Sequence, residues 1–309
     1  MKLISVVTPC FNEEENIREV YERVQKEFAN VPQYSYEHIF IDNASTDRTQ
    51  EILRELAGAD KNVKVIINTR NFGHVRSPYY ALTRAGGDAV IFLLSDLQDP
   101  PELIGKFLSQ WEAGYKIVIG VKARSAESWL MFSVRKFYYN LIDSLAEVKI
   151  VKNSTGFGLY DRRVITELRG LDDPYPFLRG LISELGFEAA KVEYFQPQRK
   201  QGLTKNNFYT LYDLGILGII NHSKVPLRFA IFAGLLLAMF SMTVAVIYLI
   251  YKLIYWHSFS LGTAPVVIGM FFFFSMQLLF LGILGEYIGA IYTQTLKRPL
   301  VIEKERINF

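Results

Sequence analysis

The sequence predicts an α/β fold with a mostly parallel sheet, followed by two transmembrane helices. Over about the first 120 residues, short apolar runs rich in β-branched residues alternate with amphipathic stretches, which is typical of a sheet with helices on both faces. Two long apolar stretches lie nearer the carboxyl terminus. Each exceeds the roughly 20 residues needed to cross a bilayer core of about 30 Å.

Five apolar runs are predicted to be buried strands because they are short and β-branched: residues 3–8, 38–42, 63–68, 89–94 and 117–121. The stretches that separate them show helical spacing of apolar residues: 16–28, 46–56, 75–84 and 102–111. In open sheets of this kind, ligands bind beyond the carboxyl ends of the strands. We therefore look for a site in the segments that follow the strands.

Polar residues follow four consecutive predicted strands, which indicates a binding crevice rather than ordinary loops. They include Asn12 and Glu13 after the first strand, Asp42 and Asn43 after the second, Asn68 and Asn71 after the third, and Asp96, Gln98 and Asp99 after the fourth. The sequence contains neither G-x-G-x-x-G nor G-x-x-x-x-G-K-[ST], so the usual dinucleotide and P-loop cradles are excluded. The four histidines lack metal-ligand spacing, which argues against zinc.

The turn after the fourth strand offers oxygen ligands to a hard divalent cation. We expect Asp96 and Gln98 to hold Mg²⁺ or Mn²⁺ against a diphosphate, since such ions take one or two protein carboxylates plus substrate phosphates. Asp99 precedes two prolines and is expected to cap the helix that begins there. Residues 155–160 are strand-like, and their two glycines predict close approach of the backbone to a ligand. Asp161 is expected to cap the next helix.

The apolar stretches 229–251 and 258–285 contain no charged residue, and their flanks predict an orientation. Only Lys252 lies between them, whereas the outer flanks carry Lys224 and Arg228 before the first, and Lys297, Arg298, Lys304 and Arg306 after the second. The positive-inside rule then places the large domain and both termini in the cytoplasm, on a multi-pass protein of the inner (plasma) membrane. A re-entrant hairpin or a hydrophobic core is the alternative. The net charge of +3 is too small to suggest a nucleic-acid partner.

Six motifs together resemble the family-2 glycosyltransferases of the polyprenyl-phosphate type. They are VVTPCFNEEEN at 6–16, IDNASTD at 41–47, RNFGH at 70–74, SDLQDPPE at 95–102, TGFGLYDRR at 155–163 and RKQGLTK at 199–205. The resemblance runs from the amino terminus through both apolar stretches. It is strongest to the bactoprenol (undecaprenyl-phosphate) glucosyltransferases, and the dolichyl-phosphate mannose synthases are related.

The resemblance implies a GT-A fold, which is Rossmann-like, and a nucleotide-sugar donor. It implies that the donor is held by Pro9, Phe11, Glu13, Asp42, Asn68, Asn71, Gly73, Ser95 and Asp96, and the metal by Asp96 and Gln98. The family's D-x-D motif has its first aspartate where this chain has Leu94, so only one carboxylate of the pair is present. Either Gln98 and the diphosphate complete the metal shell, or metal dependence is weaker than usual.

The expected reaction displaces a nucleoside diphosphate from the anomeric carbon, and a divalent cation neutralises the leaving group. The acceptor phosphate is already anionic, so the site needs cations to hold it in line rather than a dedicated base. Candidate acceptor-phosphate ligands are Arg135, Lys136, Arg199, Thr204 and Lys205, with Asp96, Arg199 and Lys205 as the catalytic residues. A solvated helix face is the other interpretation of Arg135 and Lys136.

The predicted division of the chain is a GT-A domain over 1–205, an interfacial amphipathic helix over 206–225, a two-helix transmembrane domain over 226–292 and a cytoplasmic tail over 293–309. Residues 127–148 and 207–222 are aromatic-rich and amphipathic, which suits the membrane interface or core packing. Small residues in the second span predict association of copies of the chain into a homo-oligomer, namely Gly282, Gly285 and Gly289.

The resemblance implies inverting transfer of a hexose, glucose from UDP-glucose, to undecaprenyl phosphate at the cytoplasmic face of the bilayer, giving a lipid-linked sugar donor. Alternatives are the same transfer from a donor carrying mannose, N-acetylhexosamine or amino-arabinose, and a non-catalytic membrane nucleotide sensor. A processive polysaccharide synthase is disfavoured because the sequence lacks the Q-x-x-R-W motif of that class.

Overall fold

Strands and helices alternate through the amino-terminal part of the chain, as predicted. The computed structural model describes residues 1–124, 154–196, 225–255 and 263–309. The strands are β1 (Lys2–Cys10), β2 (Tyr34–Asp42), β3 (Val63–Asn68), β4 (Ala89–Phe92), β5 (Ile117–Arg124), β6 (Gly158–Asp161), β7 (Ala189–Phe195) and β8 (Glu303–Ile307). The helices are α1 (Ile17–Ala29), α2 (Thr49–Ala59), α3 (Gly73–Arg84), α4 (Ile104–Glu112), α5 (Arg162–Gly170), α6 (Leu178–Glu184), α7 (Val225–Ile254) and α8 (Thr263–Thr295).

The strands form one eight-stranded sheet in the order β7-β5-β6-β4-β1-β2-β3-β8. Strand β1 pairs in parallel with β2 and β4, β2 with β3, and β5 with β7. Strands β6 and β8 run antiparallel to their neighbours. The carboxyl ends of β1 to β4 therefore lie along one edge of the sheet, which confirms the mostly parallel α/β architecture.

Helices cover both faces of the sheet because their apolar residues recur at helical spacing. On one face, α1, α2 and α4 bury side chains such as Val20, Leu53 and Phe107 against the strands. On the other face, α3, α5 and α6 bury a second set that includes Leu82 and Ile165. Each fully buried aliphatic side chain contributes about 1.5–3 kcal/mol relative to an exposed one, so the two layers hold the strand ends in fixed positions.

The structure gives Gly158 in β6 a different role from the predicted approach to a ligand. Strand β6 is inserted between β4 and β5, and a Cβ at Gly158 would lie 2.2 Å from the carbonyl oxygen of Val118 in β5. The close approach at this glycine is therefore to a neighbouring strand and not to a ligand. Gly156, just before the strand, has a φ of 93°, a conformation that L side chains rarely adopt.

Helices α7 and α8 are each long and apolar enough to span a membrane. They contain 30 and 33 residues, which corresponds to about 45 and 50 Å at 1.5 Å per residue. Within the described ranges, almost no residue of either apolar window is buried, which is unlike the core helix of a soluble protein. The ring of Phe280 in α8 lies beside Gly234 in α7. Homo-oligomer formation stays a prediction.

The carboxyl-terminal segment returns to the amino-terminal domain and completes its sheet. Strand β8 pairs antiparallel with β3, although the sequence predicted a separate tail over residues 293–309. The side-chain amide of Asn308 donates to the carbonyl oxygens of Ala57 and Val63 at 2.7 and 2.9 Å. Arg54 forms an ion pair with Glu305 at 2.7 Å. The segment after the second apolar helix is therefore part of the domain that precedes the first.

One buried histidine couples the stability of this core to pH. His38 in β2 is fully buried, and its Nε2 lies 3.0 Å from the hydroxyl oxygen of Thr8. Its Nδ1 has no hydrogen-bond partner within the part of the chain that the structure describes. Burial lowers the pKa of His38 to about 3, so the imidazole is neutral in the folded protein at any ordinary pH.

We predict that acid destabilises the protein in part through His38. The unfolded imidazole titrates near pH 6.5. The stabilisation from a neutral buried ring is therefore complete above that pH and is lost as pH falls toward 3. Substituting His38→Leu should make the melting temperature of the detergent-solubilised full chain depend less on pH between 6.5 and 4. An unchanged pH slope in the variant would contradict this assignment.

We also predict that the ion pair between Arg54 and Glu305 helps to dock β8. Because both side chains are substantially exposed, the pair should contribute no more than about 1 kcal/mol. Arg54→Glu and Glu305→Arg should each lower the melting temperature slightly, and the double variant should recover most of the loss. If the two single losses simply add in the double variant, the pair does not stabilise the docked strand.

Candidate active site

The loops after β2 and β3 are held together by one side chain, that of Asn43. Its amide nitrogen donates to the side-chain oxygen of Asn71 at 2.9 Å and to the carbonyl oxygen of Gly73 at 3.1 Å. Its side-chain oxygen accepts from the amide of Asn68 at 3.1 Å and from the backbone N–H of Phe72 at 2.9 Å. In the sequence, Asn43 is only one of several polar residues that follow strands. Its role could not be predicted, because a sequence does not show which loops a side chain connects.

The loops after β1 and β2 are joined in the same way. The backbone N–H of Asn12 donates to the hydroxyl of Ser45 at 2.8 Å, and its side-chain oxygen accepts from the backbone N–H of Thr46 at 2.8 Å. The backbone N–H of Glu13 donates to the hydroxyl of Thr49 at 2.9 Å. The predicted donor residues of the first loop, Pro9, Phe11 and Glu13, are half-buried beside this junction.

Each of the four loops contains a residue with positive φ. The values are 53° for Asn12, 61° for Ala44, 87° for Gly73 and 57° for Leu97. For alanine and leucine this region is costly, so the surrounding contacts must impose it. Strained backbone of this kind collects at functional sites, and the sequence alone offers no sign of it at Ala44 or Leu97.

Asp42 lies at the base of the crevice and has one unpaired acceptor. Its Oδ2 accepts from the backbone N–H of Ser45 at 3.0 Å and from the side-chain amide of Gln50 at 2.9 Å. Within the described residues, its Oδ1 and the Oδ1 of Asn68 are buried without a hydrogen-bond partner. Burial raises the pKa of Asp42, and its two hydrogen-bond donors oppose that rise. Two buried acceptors therefore lack donors at the place where a ligand is expected.

The turn after β4 brings Ser95, Asp96 and Gln98 to the same edge of the sheet. Ser95 is buried, whereas Asp96 and Gln98 are half-buried. One carboxylate oxygen of Asp96 accepts from the backbone N–H of Gln98 at 3.2 Å, so Asp96 keeps a second oxygen for a ligand. Leu94 packs against the hydrophobic core. No cluster of three or more potential metal-ligating side chains occurs in the described ranges.

This donor set fits a hard divalent cation only if substrate oxygens complete the shell. One carboxylate and one amide carbonyl suit Mg²⁺ or Mn²⁺, which commonly bind a single protein carboxylate together with phosphate oxygens and water. A site made of protein ligands alone is not present among the described residues. Asp96 and Gln98 would therefore hold such an ion only together with the oxygens of a diphosphate, and their metal role stays a prediction.

The prediction that Asp99 caps the following helix was wrong. Asp99 is fully buried, and the short 3₁₀ turn Pro101–Leu103 that leads into α4 receives no side-chain cap. The Asp99 carboxylate instead accepts hydrogen bonds from the hydroxyls of Tyr194 and Thr155. Burial raises the pKa of Asp99, and its two donors oppose the rise. Asp99 therefore ties the turn after β4 to β7 and to the segment before β6.

The prediction that Asp161 caps the next helix is confirmed. Its carboxylate accepts from the backbone N–H of Arg163 at 3.0 Å, from the indole N–H of Trp111 at 2.7 Å and from Lys116 at 3.1 Å. These donors hold the pKa of Asp161 below its usual value, although burial opposes them. Asp161 pairs with Ala89, the first residue of β4, so it lies at the end of the sheet away from the crevice.

Not every predicted site residue falls in the described part of the chain. Ten do: Pro9, Phe11, Glu13, Asp42, Asn68, Asn71, Gly73, Ser95 and Asp96 for the donor, and Gln98 for the metal. The predicted acceptor-phosphate residues Arg135, Lys136, Arg199, Thr204 and Lys205 lie outside the described residues, as do both amphipathic segments. Strand β7 ends at Phe195, so the Asp99–Tyr194 contact anchors the chain just before the segment that contains Arg199.

We predict that the Asp99–Tyr194 hydrogen bond stabilises the site. Tyr194→Phe removes one of two hydroxyl donors to a buried carboxyl, so it should lower the free energy of unfolding by about 1–3 kcal/mol. The measurement is thermal unfolding of the solubilised full chain. Tyr36→Phe is the matched control, because the Tyr36 hydroxyl makes no hydrogen bond to a described residue. Equal losses in the two variants would show that the bond contributes nothing.

Comparison with known proteins agrees with this geometry. The family model described as Glycosyl transferase family 2 matches residues 5–169. The uncharacterized glycosyltransferase YkcC of Bacillus subtilis is 36% identical over 299 residues, covering 96% of this chain and 92% of that protein. The bactoprenol glucosyl transferase of Shigella phage SfX is 34% identical over 304 residues, covering 98% and 99%.

The fold is also shared with solved structures. A crystal structure described as that of a mycobacterial protein aligns with a TM-score of 0.50 at 20% identity, covering 71% of this chain and 73% of that chain. That likeness concerns the fold alone. The family match spans the loops that contain Asn43 and Asp96, and the two relatives extend over the apolar helices as well. The chain belongs to glycosyl transferase family 2, and it is a glycosyltransferase with a GT-A domain followed by two helices long and apolar enough to span a membrane.

Proposed function

We propose that this glycosyltransferase moves a hexose from a nucleotide-sugar to a polyprenyl phosphate at the cytoplasmic face of the membrane. The proposed donor is UDP-glucose. The observation that carries the proposal is the return of the chain from α8 into the catalytic sheet beside the crevice. A lipid-borne acceptor requires a crevice near the bilayer. The name of the Shigella phage relative, a bactoprenol glucosyl transferase, supports the same acceptor and sugar.

The geometry of β8 supports a crevice close to the membrane. Because β8 is antiparallel to β3, its first residue, Glu303, pairs with Asn68 at the carboxyl end of β3. The backbone N–H of Thr69 donates to the carbonyl oxygen of Ile302 at 2.9 Å. Helix α8 ends at Thr295, and seven residue steps reach at most about 25 Å. The crevice edge is therefore within that distance of the end of α8.

The same connection supports the predicted topology. The catalytic domain precedes α7, and β8, which belongs to the catalytic sheet, follows α8. If α7 and α8 each cross the bilayer once, both ends of the pair emerge on the side of the catalytic domain. The lysines and arginines that flank the pair favour the cytoplasmic side. We therefore propose that the domain and both termini are cytoplasmic.

The proposed donor site uses the buried acceptors of the crevice. The Oδ1 atoms of Asp42 and Asn68 have no hydrogen-bond donor within the described residues. The N–H groups of a nucleoside base would supply such donors. Burial of these acceptors without a partner is unfavourable, so a bound base would stabilise the site. The donor-binding residues of this proposal are those predicted from the sequence, namely Pro9, Phe11, Glu13, Asp42, Asn68, Asn71, Gly73, Ser95 and Asp96.

The proposed reaction inverts the anomeric carbon. An oxygen of the acceptor phosphate forms a bond to that carbon while the bond to the diphosphate breaks on the opposite side, and no proton transfer is needed. A divalent cation, Mg²⁺ or Mn²⁺, held by Asp96 and Gln98 would neutralise the departing diphosphate. Arg199, Thr204 and Lys205, with Arg135 and Lys136, would hold the acceptor phosphate, because guanidinium and ammonium groups pair with phosphate oxygens.

A non-catalytic nucleotide sensor is the second candidate, and Leu94 is the observation that favours it. A half-buried leucine packed on the core replaces one carboxylate of the family's metal-binding pair. A sensor would bind a nucleotide-sugar without turning it over, whereas an enzyme would do both. Transfer and binding must therefore be measured on the same preparation.

We predict that the purified full chain transfers label from radioactive UDP-glucose to undecaprenyl phosphate when Mg²⁺ or Mn²⁺ is supplied. Asp96→Asn should lower turnover by a factor on the order of 10²–10³, since it weakens the charge that holds the cation. Asp172→Asn is the control, because Asp172 is exposed and lies outside the proposed site. Removal of the cations by a chelator should abolish transfer in the wild type.

Three results would contradict or revise the proposal. Nucleotide binding without lipid-soluble label under either cation would favour the sensor. Full activity of Asp96→Asn would remove the proposed metal role of that carboxylate. Faster transfer from a nucleotide-activated mannose, N-acetylhexosamine or amino-arabinose than from UDP-glucose would change the sugar while retaining the reaction type.

A further inference from the structure

Three arginines converge where the chain leaves α8 and joins the catalytic domain. Arg298 follows the last residue of α8 by three positions. Arg76 in α3 donates a hydrogen bond from its Nη2 to the carbonyl oxygen of Pro299, the next residue. Arg70 belongs to the loop after β3. We name Arg70, Arg76 and Arg298 the exit cluster. It combines two side chains of the catalytic domain with one from the end of an apolar helix.

The two arginines of the catalytic domain are held against one aromatic ring. The guanidinium carbon of Arg70 lies 4.0 Å from the ring centroid of Phe72, and that of Arg76 lies 5.8 Å from the same centroid. Phe72 is buried, and its backbone N–H is fixed by Asn43. The ring therefore places two positive charges side by side, one from the loop after β3 and one from α3, and the hydrogen bond to Asn43 fixes the backbone that carries the ring.

The exit cluster concentrates positive charge. Within the described ranges, none of its three arginines forms an ion pair with a carboxylate, and the Nε of Arg76 is buried without a hydrogen-bond partner. Burial lowers the pKa of Arg76, and the charges of Arg70 and Arg298 lower it further, against an opposing contribution from Tyr175. Like charges this close repel one another, so the arrangement favours an anion that pairs with all three.

The position of the cluster identifies the class of anion. The candidate span of α8 runs from Gly269 to Thr295, with Glu286 as its one charged residue, and none of it is buried within the described part of the chain. In a bilayer its carboxyl end would therefore lie at the level of the lipid headgroups. Basic side chains at that level are attracted to the anionic lipids of the cytoplasmic leaflet. Arginine is well suited to a phosphate because its planar group donates two parallel hydrogen bonds.

We propose that the exit cluster binds the phosphate of an anionic phospholipid headgroup and so fixes the edge of the catalytic domain against the membrane. The inference rests on the proposed insertion of α7 and α8, but it does not depend on which sugar or acceptor the enzyme uses. The headgroup would bridge the domain, through Arg70 and Arg76, to the end of the span, through Arg298. It would thereby hold the crevice at one height above the bilayer.

The experiment measures lipid binding to the intact chain in the absence of donor and acceptor. Full-length protein, delipidated in a maltoside detergent, is titrated with short-chain phosphatidylglycerol or phosphatidylcholine, and bound lipids are counted by native mass spectrometry. The wild type should prefer phosphatidylglycerol, and the preference should weaken as salt is raised. Arg76→Gln, Arg298→Gln and the double variant should each lose affinity, by about fivefold for every arginine removed.

Control variants distinguish binding at the exit cluster from a general effect of lost charge or lost fold. Arg18→Gln is the matched variant, because Arg18 lies on α1, on the opposite face of the sheet, where it pairs with Glu55, and it should bind lipid as the wild type does. Arg298 is exposed and makes no hydrogen bond to a described residue, so Arg298→Gln should fold normally even if Arg76→Gln does not. Arg76→Lys retains a charge and should recover part of the affinity.

Two outcomes would overturn the proposal. Equal affinity of the wild type for both lipids would show that the cluster does not recognise a charged headgroup. Competition by UDP or inorganic phosphate, with loss of UDP binding in the variants, would assign the cluster to the nucleotide site instead. The lipid-binding experiment does not depend on sugar transfer. A protein that fails the separate transfer assay but still prefers phosphatidylglycerol would contradict the proposed enzyme function and leave this inference standing.

Discussion

Parallel pairing of β1 with β2 and β4 is the constraint on which the rest of the site depends. It brings three strand ends to one edge and forces polar loops to pack against one another. Loops packed this closely must satisfy their own backbone groups, and Asn12 and Asn43 do so by bonding to the neighbouring loop. The crevice is therefore shaped by the hydrogen-bond requirements of the sheet edge before any substrate arrives.

The same hydrogen-bond network also determines which polar atoms of the crevice are available to bind a ligand. Most buried groups around the crevice have partners, and the unpaired acceptors of Asp42 and Asn68 are exceptions among the described residues. Asp99 is buried, and each of its carboxylate oxygens accepts from a hydroxyl, so Asp96 is the carboxylate of the turn that can face a ligand. Two aspartates three residues apart thus differ in role because one is buried in a network and the other is not.

The sequence predicted the five strands of the amino-terminal half to within a few residues, because each is a short apolar run between turn residues. The strand-like pattern of residues 155–160 overlaps β6, but the sequence did not predict β7 and β8. Strand β8, EKERI, is so rich in charge that its composition indicates a solvated tail. The roles of Asn43 and Asp99 were also missed, since both depend on contacts between segments far apart in the chain. Patterns along a sequence report local structure and not such partners.

Strand β8 has a consequence for the order in which the protein is made. Residues 1–196 leave the ribosome first, then α7 and α8, and only afterwards the strand that covers the outer edge of β3. During synthesis the sheet therefore lacks its final strand, and an uncovered edge is a place where foreign strands can pair. The sheet of the glycosyltransferase domain is completed only after both apolar helices have been translated, so its finished fold depends on the segment that follows them.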